Sequence, residues 1–198
     1  MKNQLIVYPT DTVWGIGCDA GNAELIKEVH LIKKSSASKP MSILFSDFEL
    51  LEKNINLPSI FSKSWLSSFF RLETSLCLSR KFIDSSAISE SVLCGSDYVS
   101  IRLLDYPWCK EICTQIGGPM VSTSLNFSGD PPITSTESAK EFFDHHVQNG
   151  IFIGPAGEKC LSGSVSTIVI YNENGDFEFL RQGAKVDEVK KSLEVFSA

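Results

Sequence analysis

The sequence lacks long hydrophobic runs, internal repeats and low-complexity tracts. No segment approaches the roughly 18 consecutive apolar residues of a membrane span, so the sequence predicts no membrane association. The apolar run at residues 4–8 is too short for the core of a signal peptide. With 42% hydrophobic and 21% charged residues, the composition argues against collagen, coiled coil and disorder. These features predict a globular protein of the cytoplasm.

An excess of basic residues is also missing. The chain has 18 lysines and arginines against 24 aspartates and glutamates, which gives a net charge of −6. Proteins that bind nucleic acid over a broad surface are usually basic, so this class is disfavoured, whereas a local basic pocket is compatible with the count. At roughly 150 residues per domain, the length predicts one domain spanning 1–198.

Cysteine is present, but the secretory context of a disulfide framework is missing. All six cysteines are therefore predicted to be reduced thiols: Cys18, Cys77, Cys94, Cys109, Cys113 and Cys160. Cys109 and Cys113 are spaced to share a helix face, but two ligands do not make a structural zinc site. His145 and His146 follow no common zinc spacing. We therefore predict buried thiols and surface histidines, and no metal site.

Hydrophobic periodicity predicts an alternation of strands and helices. Strands are predicted at residues 4–8, 41–45, 74–79, 98–103, 119–124, 164–171 and 176–182. Helices are predicted at 23–33, from Ser46 to about Lys53, from Pro58, from Pro107, after Thr134 and from Val186. Capping boxes are expected at two of these starts, Ser46 with Glu49 and Thr134 with Glu137. Because the last two strands form a hairpin, the fold is predicted to be α/β with a mixed sheet.

Common catalytic motifs are absent as well. There is no Walker-type phosphate loop, and no Ser-His-Asp arrangement is suggested. The glycines at 15, 17 and 21 do not fit the spacing of a dinucleotide fingerprint. The segment from Tyr8 to Asp19 is instead predicted to be a strand end followed by a glycine-rich loop, and residues 82–96 show no clear pattern.

Three segments rich in small polar residues stand out, at 8–19, 33–39 and 122–129. Their hydroxyls, their amide and the backbone N–H groups beside glycine can form a cradle for an anion. Lys33 and Lys39 supply charges for phosphates, and Arg102 can bind a carboxylate through two hydrogen bonds. On the residues alone, an ordinary turn, solvated lysines and a sheet-edge ion pair of Arg102 are the alternatives.

Five segments, in order along nearly the whole chain, closely resemble landmarks of the Sua5/YciO/YrdC family. The first, residues 8–19, reads YPTDTVWGIGCD, and the third, residues 122–129, reads STSLNFSG. Between them lie Ser100-Ile101-Arg102 and Tyr106-Pro107. The last two are VSTIV at 165–169 and LRQGA at 180–184. Any one of these matches is moderately specific, whereas five in the family's order identify the chain as a member.

The resemblance implies a single α/β domain, with a twisted mixed sheet flanked by helices around a deep concave cavity. It also implies a nucleotidyltransferase that joins L-threonine, bicarbonate and ATP into threonylcarbamoyl-AMP and releases pyrophosphate. A partner complex would then transfer the threonylcarbamoyl group to adenosine 37 of tRNA. Mg²⁺ would accompany ATP, held largely by phosphate oxygens and water.

Site residues follow from the resemblance position by position. The residues expected to face threonine are Thr12, Arg102, Ser122 and Ser166. Those expected to face ATP are Lys33, Ser35, Lys39, Ser124, Asn126 and Arg181. Catalysis would rest on Lys33, Lys39 and Arg102, through positioning and charge neutralisation, and no covalent nucleophile is expected.

The chain departs from the family pattern in three places. Ser35 stands where the basic K-x-R motif has arginine, FFRLETSLC at 69–77 replaces the family's WPGP stretch, and only three residues precede the first predicted strand. Serine cannot replace the five donors of an arginine. The alternative is therefore a catalytically weakened homologue that binds nucleotide or double-stranded RNA, with weak RNA contact through Lys33, Lys34 and Lys39.

Overall fold

The computed structural model describes residues 1–36, 39–154 and 161–196. Its strands are β1 (Leu5–Pro9), β2 (Trp14–Asp19), β3 (Ser42–Phe45), β4 (Thr74–Ser79), β5 (Tyr98–Leu103), β6 (Met120–Ser124), β7 (Gly150–Phe152), β8 (Thr167–Tyr171) and β9 (Phe177–Arg181). Its α-helices are α1 (Ala23–Ile32), α2 (Phe48–Asn54), α3 (Lys63–Phe70), α4 (Pro107–Ile116), α5 (Thr136–His146) and α6 (Val186–Leu193).

The described strands form one sheet in the order β7-β1-β2-β6-β3-β5-β4-β8-β9. The pairs β1–β7, β3–β5 and β4–β8 are parallel, and the remaining neighbours are antiparallel. The prediction of a mixed sheet flanked by helices is confirmed. Strands β1, β2, β3 and β6 lie side by side, which brings the polar segments near residues 10–13 and 122–126 to the same part of the sheet.

Strand β1 is apolar throughout because both faces of the sheet are covered. Leu5 and Val7 belong to the larger core cluster, whereas Ile6 and Tyr8 point to the opposite face and pack in a second cluster. Helix α4 covers that second face and contributes Trp108, Cys109, Ile112, Cys113 and Ile116. The prediction that Cys109 and Cys113 share a buried helix face is therefore confirmed.

The predicted polar and glycine-rich loop through Asp19 is found at residues 10–13 and is wrong beyond them. Residues Trp14–Asp19 form strand β2, which pairs with β1 on one side and β6 on the other. The backbone of Gly17 lies so close to β6 that a Cβ there would be 1.9 Å from the Val121 carbonyl oxygen. The glycines therefore allow two backbones to approach, and they do not form a flexible turn. Strand β7, at the sheet edge, was not predicted at all.

Two predicted capping boxes are wrong by one residue. Helix α2 is capped by Asp47, whose carboxylate accepts a hydrogen bond from the Leu50 N–H at 2.8 Å, while Ser46 is buried beside it. Helix α5 is capped by Ser135 and not by Thr134. In both cases the neighbouring residue is also a good cap, so sequence preference alone could not choose between them.

Two other predicted boundaries differ from the structure. Helix α3 starts after Ser62, whose side chain caps it, and not at Pro58. Strand β8 starts at Thr167 and not at residue 164, because the Ser166 carbonyl accepts a hydrogen bond from the Arg181 side chain. The patternless segment 82–96 contains a short 3₁₀ helix, Glu90–Val92.

The five cysteines within the described residues are free thiols, while Cys160 lies outside those residues. His145 and His146 are exposed on α5, as predicted. Among the residues that the structure describes, no helix combines the length and the apolar character needed to cross a membrane.

Candidate active site

A polar cavity of about 190 Å³ lies where the segments around Thr12, Ser42, Ser122 and Arg102 meet. Seven of the ten predicted site residues line it: Thr12, Lys39, Arg102, Ser122, Ser124, Ser166 and Arg181. They come from segments that are distant in sequence, and the order of the strands in the sheet brings them together. The deep concavity that the resemblance implies stays a prediction, but the convergence of these side chains is observed.

Arg102 is the buried cation at the centre of the site. Its side chain points from β5 toward the loop between β1 and β2, where it forms an ion pair with Asp11. It also donates a hydrogen bond to the Thr12 hydroxyl at 3.3 Å. Burial raises the pKa of Asp11, and the guanidinium of Arg102 opposes that rise. The sequence left open whether Arg102 binds a carboxylate ligand or forms an ion pair at a sheet edge. In the structure it forms a buried ion pair and also faces a cavity.

The loop that carries Thr12 is tied by its own hydroxyls. The Thr10 hydroxyl donates to the Val13 carbonyl at 2.7 Å and accepts from the N–H groups of Thr12 and Val13. It also lies 2.9 Å from the Thr12 hydroxyl. This network fixes the Thr12 hydroxyl beside Arg102, so Thr10 has a structural role in the site.

Arg181 and Ser166 form a second polar pair on the wall of the cavity. The Arg181 guanidinium donates to the Ser166 carbonyl at 2.8 Å and to the Ser166 hydroxyl at 2.6 Å. Partial burial and the positive charge of Arg102 both lower the pKa of Arg181. Two arginines therefore face the same space, and their mutual repulsion favours an anionic ligand between them.

Lys33, which the resemblance placed toward ATP, lies behind the described wall of the cavity. It is buried, and its ammonium donates to the carbonyls of Ser124 and Asn126 and to the Asn126 side-chain oxygen. These three acceptors use all three N–H groups. Burial and the nearby Lys39 lower the pKa of Lys33 to about 8. Lys33 therefore ties α1 to the turn after β6.

Asn126 completes this turn. Its side-chain oxygen accepts from the Ser124 hydroxyl at 2.7 Å as well as from Lys33, and its amide group donates to the Asp130 carbonyl at 2.6 Å. Lys33 and Asn126 thus shape the site from behind, while the Ser124 side chain lines it.

Ser35 faces away from this arrangement, toward α1. Its hydroxyl lies 2.9 Å from the His30 ring nitrogen Nδ1, and the other ring nitrogen of His30 lies 3.6 Å from the Cys94 sulfur. Burial and the charge of Lys33 lower the pKa of His30. Among the residues that the structure describes, Ser35 is not one that lines the cavity. Ala37 and Ser38, within the 33–39 segment, lie outside the described residues.

Sequence reasoning missed several polar residues of the site. Thr10, Ser42 and Ser75 line the cavity, and the Ser42 hydroxyl lies 2.8 Å from the Ser100 hydroxyl across the β3–β5 pair. The available signal was a serine inside an otherwise apolar strand, as in MSILF at 41–45. Such a residue faces either a polar cavity or a hydrogen-bonding partner.

Lys33 offers a test of its structural role. Replacing Lys33 with methionine removes the ammonium donor from the carbonyls of Ser124 and Asn126 and leaves the Asn126 side-chain oxygen with the Ser124 hydroxyl alone, so we expect the free energy of unfolding to fall by about 2–3 kcal/mol. The matched control is Lys34→Met, because Lys34 is exposed and its ammonium only lies over the Phe127 ring, at 4.2 Å. The control should cost less than about 1 kcal/mol in urea-unfolding measurements. Equal losses in the two variants would contradict this assignment.

The mixed sheet and the cluster of hydroxyls and arginines define an α/β protein with a polar cavity that two arginines line. The model of the Sua5/YciO/YrdC family, described as Telomere recombination, matches residues 1–183. The chain belongs to this family.

Curated relatives agree with this membership. The threonylcarbamoyl-AMP synthase of Psychrobacter arcticus is 30% identical over 171 residues, covering 77% of this chain and 79% of that protein. The protein of the same name from Bacillus subtilis is 27% identical over 156 residues. That match covers 79% of this chain and only 44% of the relative, so the chain corresponds to less than half of the Bacillus protein.

Solved structures show the same fold. Sua5 of P. abyssi complexed with L-threonine superposes with a TM-score of 0.80 at 24% identity, over 96% of this chain and 54% of that one. The chain thus spans about half of the P. abyssi protein. E. coli YciO superposes with a TM-score of 0.69 at 18% identity, over 91% of this chain and 84% of its own.

Proposed function

We propose that the protein is a threonylcarbamoyl-AMP synthase, which joins L-threonine, bicarbonate and ATP and releases pyrophosphate. The observation that carries this proposal is the convergence of two arginines, Arg102 and Arg181, with several hydroxyls on one cavity. The name shared by the curated relatives and the L-threonine bound to the P. abyssi structure support the choice of reaction. The product would pass to a complex that modifies adenosine 37 of tRNA.

In this proposal the threonine lies against Arg102. A guanidinium binds a carboxylate through two parallel hydrogen bonds, which fixes the direction of the amino acid as well as its affinity. The hydroxyls of Thr12, Ser122 and Ser166 line the same cavity, where they can accept hydrogen bonds from the ammonium of threonine and donate to or accept from its hydroxyl group.

ATP lies on the side of Ser124, Lys39 and Arg181. Lys39 and Arg181 supply positive charge for the phosphates, and the turn held by Lys33 and Asn126 presents the Ser124 hydroxyl. Mg²⁺ would enter with the triphosphate as part of the substrate. Among the described residues there is no group of three or more His, Cys, Asp and Glu side chains that could hold a metal ion. Phosphate oxygens and water would therefore supply the Mg²⁺ ligands.

The chemical step is an in-line displacement at the α-phosphorus. The neutral amine of threonine combines with bicarbonate to give a carbamate and water, a carbamate oxygen then attacks the α-phosphorus of ATP, and pyrophosphate leaves. Such a reaction needs positioning and neutralisation of charge more than a nucleophilic side chain. Arg102 and Arg181 meet that need, because both are held in place by hydrogen bonds before any ligand binds.

The decisive assay mixes the purified protein with ATP, L-threonine, bicarbonate and Mg²⁺ and measures pyrophosphate. We expect release that depends on threonine and on bicarbonate, together with threonylcarbamoyl-AMP in the reaction mixture. Release no faster than in a control without threonine would refute the proposed activity.

The serine at position 35 gives a further test. If the family's arginine at this position binds phosphate, Ser35→Arg should restore that contact and lower the Kd of ATP by several-fold, because a guanidinium binds phosphate much better than a hydroxyl. Isothermal titration with ATP measures the change, and Ser36→Arg is the neighbouring control. No gain over the control would show that the site works without a cation at position 35.

RNA binding is the second candidate function. Lys34 is exposed with its ammonium 4.2 Å from the Phe127 ring centre, a pairing of cation and aromatic ring that suits nucleic acid. Lys33, in contrast, is buried and engaged, so the three lysines do not form one exposed basic patch. Fluorescence anisotropy with double-stranded RNA should show affinity that falls steeply with salt, and undetectable binding at 50 mM salt would reject this candidate.

A further inference from the structure

The ion pair between Asp11 and Arg102 crosses a wall between two cavities. Arg102 lines the site cavity of about 190 Å³. Asp11 lines a second cavity of about 650 Å³, formed with Arg71, Glu73 and Lys185 among others. Ligand pockets typically occupy about 300–1,000 Å³, so the site cavity alone is small for its proposed substrates. The Asp11 side chain is part of what separates the two spaces.

The guanidinium of Arg102 is occupied by its own chain, and incompletely. One terminal nitrogen donates to Asp11 and the other to the Thr12 hydroxyl at 3.3 Å. The third nitrogen, Nε, is buried and has no hydrogen-bond partner among the described residues. A buried donor without an acceptor is costly, so Arg102 is not fully satisfied in this state. A bound carboxylate could satisfy it through two parallel hydrogen bonds.

We propose that Asp11 is an internal substitute for the substrate carboxylate, and that the amino acid displaces it from Arg102 toward the larger cavity. This inference rests on the proposed function. In it, Asp11 and the substrate carboxylate compete for Arg102, and that competition sets the affinity for the amino acid. Two carboxylates cannot share one buried guanidinium without strong repulsion, so the arrival of one favours the departure of the other.

The surroundings of Asp11 permit this movement. Its backbone is held, because the Ser162 N–H donates to the Asp11 carbonyl at 2.9 Å and the Gly163 N–H donates to the Thr12 carbonyl at 2.9 Å. Rotation of the side chain alone would carry the carboxylate into the larger cavity that it already lines. Arg71 and Lys185 line that cavity too, and Lys185 lies 2.7 Å from Glu73. Because Lys185 is already paired with Glu73, Arg71 is the cation of this cavity that would receive the displaced carboxylate.

The test compares wild type with Asp11→Asn, which keeps the size of the side chain and removes its charge. Isothermal titration would use three ligands: L-threonine, 3-hydroxybutyrate, which has the carboxylate without the ammonium, and L-threoninol, which has the ammonium without the carboxylate. We expect Asp11→Asn to bind the two carboxylates at least about tenfold more tightly, with no gain for threoninol. Asp105→Asn is the control, since Asp105 lines the same larger cavity, is exposed and should leave all three affinities unchanged.

Weaker or unchanged binding of L-threonine by Asp11→Asn would overturn the proposal, and weaker binding of threoninol as well would place Asp11 on the substrate ammonium. A crystal structure of the wild-type protein with L-threonine tests the same point without a variant. We expect the ligand carboxylate on Arg102 and Asp11 away from it, whereas Asp11 still paired with Arg102 would refute the displacement. If the wild type neither binds threonine nor releases pyrophosphate, the proposed function itself fails. If it releases pyrophosphate normally while Asp11 stays on Arg102, only the displacement fails.

Discussion

Arg102→Ala is expected to lose threonine-dependent pyrophosphate release by at least about 100-fold, the largest effect of any single substitution in the site. The variant removes the buried cation that would bind the carboxylate of threonine. It also leaves the half-buried Asp11 carboxylate without its partner, and because that carboxylate can turn into the larger cavity, we expect a smaller loss than the about 3–5 kcal/mol of a fully buried pair. Pyrophosphate assays at saturating ATP and urea unfolding measure the two effects separately.

A matched control and a double variant sharpen this test. Arg80→Ala removes an arginine whose ion pair with Glu90 is exposed, so it should cost less than about 1 kcal/mol and leave turnover unchanged. Asp11→Asn combined with Arg102→Ala should recover part of the lost stability, because it removes the unpaired charge, but it should not recover activity. An Arg102→Ala protein that folds normally and still releases pyrophosphate would remove Arg102 from the proposed site.

Gly17→Ala should lower the free energy of unfolding by more than about 3 kcal/mol or prevent folding. Overpacking in a core typically costs about 1–3 kcal/mol, when side chains can shift to make room. Here the added Cβ would lie 1.9 Å from the carbonyl oxygen of Val121 and 3.0 Å from the Tyr8 hydroxyl. The nearest obstacle is backbone within the β2–β6 pair, near the middle of the sheet, and it cannot move without breaking the ladder.

Gly118→Ala provides the control for this substitution. A Cβ at Gly118 would meet its nearest heavy atom, the Cβ of Ala87, at an ordinary 3.9 Å. We expect a change of less than about 1 kcal/mol in urea unfolding followed by circular dichroism. Similar losses in the two variants would show that close approach of β2 and β6 is not the reason for glycine at position 17.

The glycines of β2 also show why one part of the fold escaped prediction. Gly15, Gly17 and the polar residues before them have the composition of a loop, and strand propensity disfavours glycine. Their conformation is extended because β1 and β6 pair with them from both sides. Pairing between distant strands overrides local preference here, and a single sequence does not display it. The apolar strands β3, β4 and β5 carried their own signal and were predicted at or near their observed bounds.

The candidate site, like the fold, could be predicted only in part from the sequence. The residue types in the polar segments are sufficient to predict an anion-binding site, because hydroxyls, lysines and arginines are the groups that bind phosphates and carboxylates. They could not show which cations face the ligand. Lys33 turns its ammonium onto the backbone after β6, whereas Arg181 faces the cavity. That choice depends on acceptors 93 positions away in the chain, which only the folded sheet brings within reach.

The sequence by itself determined the family and the class of fold: mixed α/β architecture, reduced thiols and a family motif that contains Thr-Asp-Thr. Local patterns suffice for these properties, since helices, strands and residue types are set within a few neighbours. Tertiary structure alone decided that Asp11 occupies Arg102 and that Ser35 turns to His30. The Asp11–Arg102 pair joins groups 91 positions apart. It forms because the order of the strands brings the two residues together and because the buried donors of Arg102 need an acceptor. In the proposed displacement, the affinity of the site for a carboxylate ligand depends on the fold as well as on the motif.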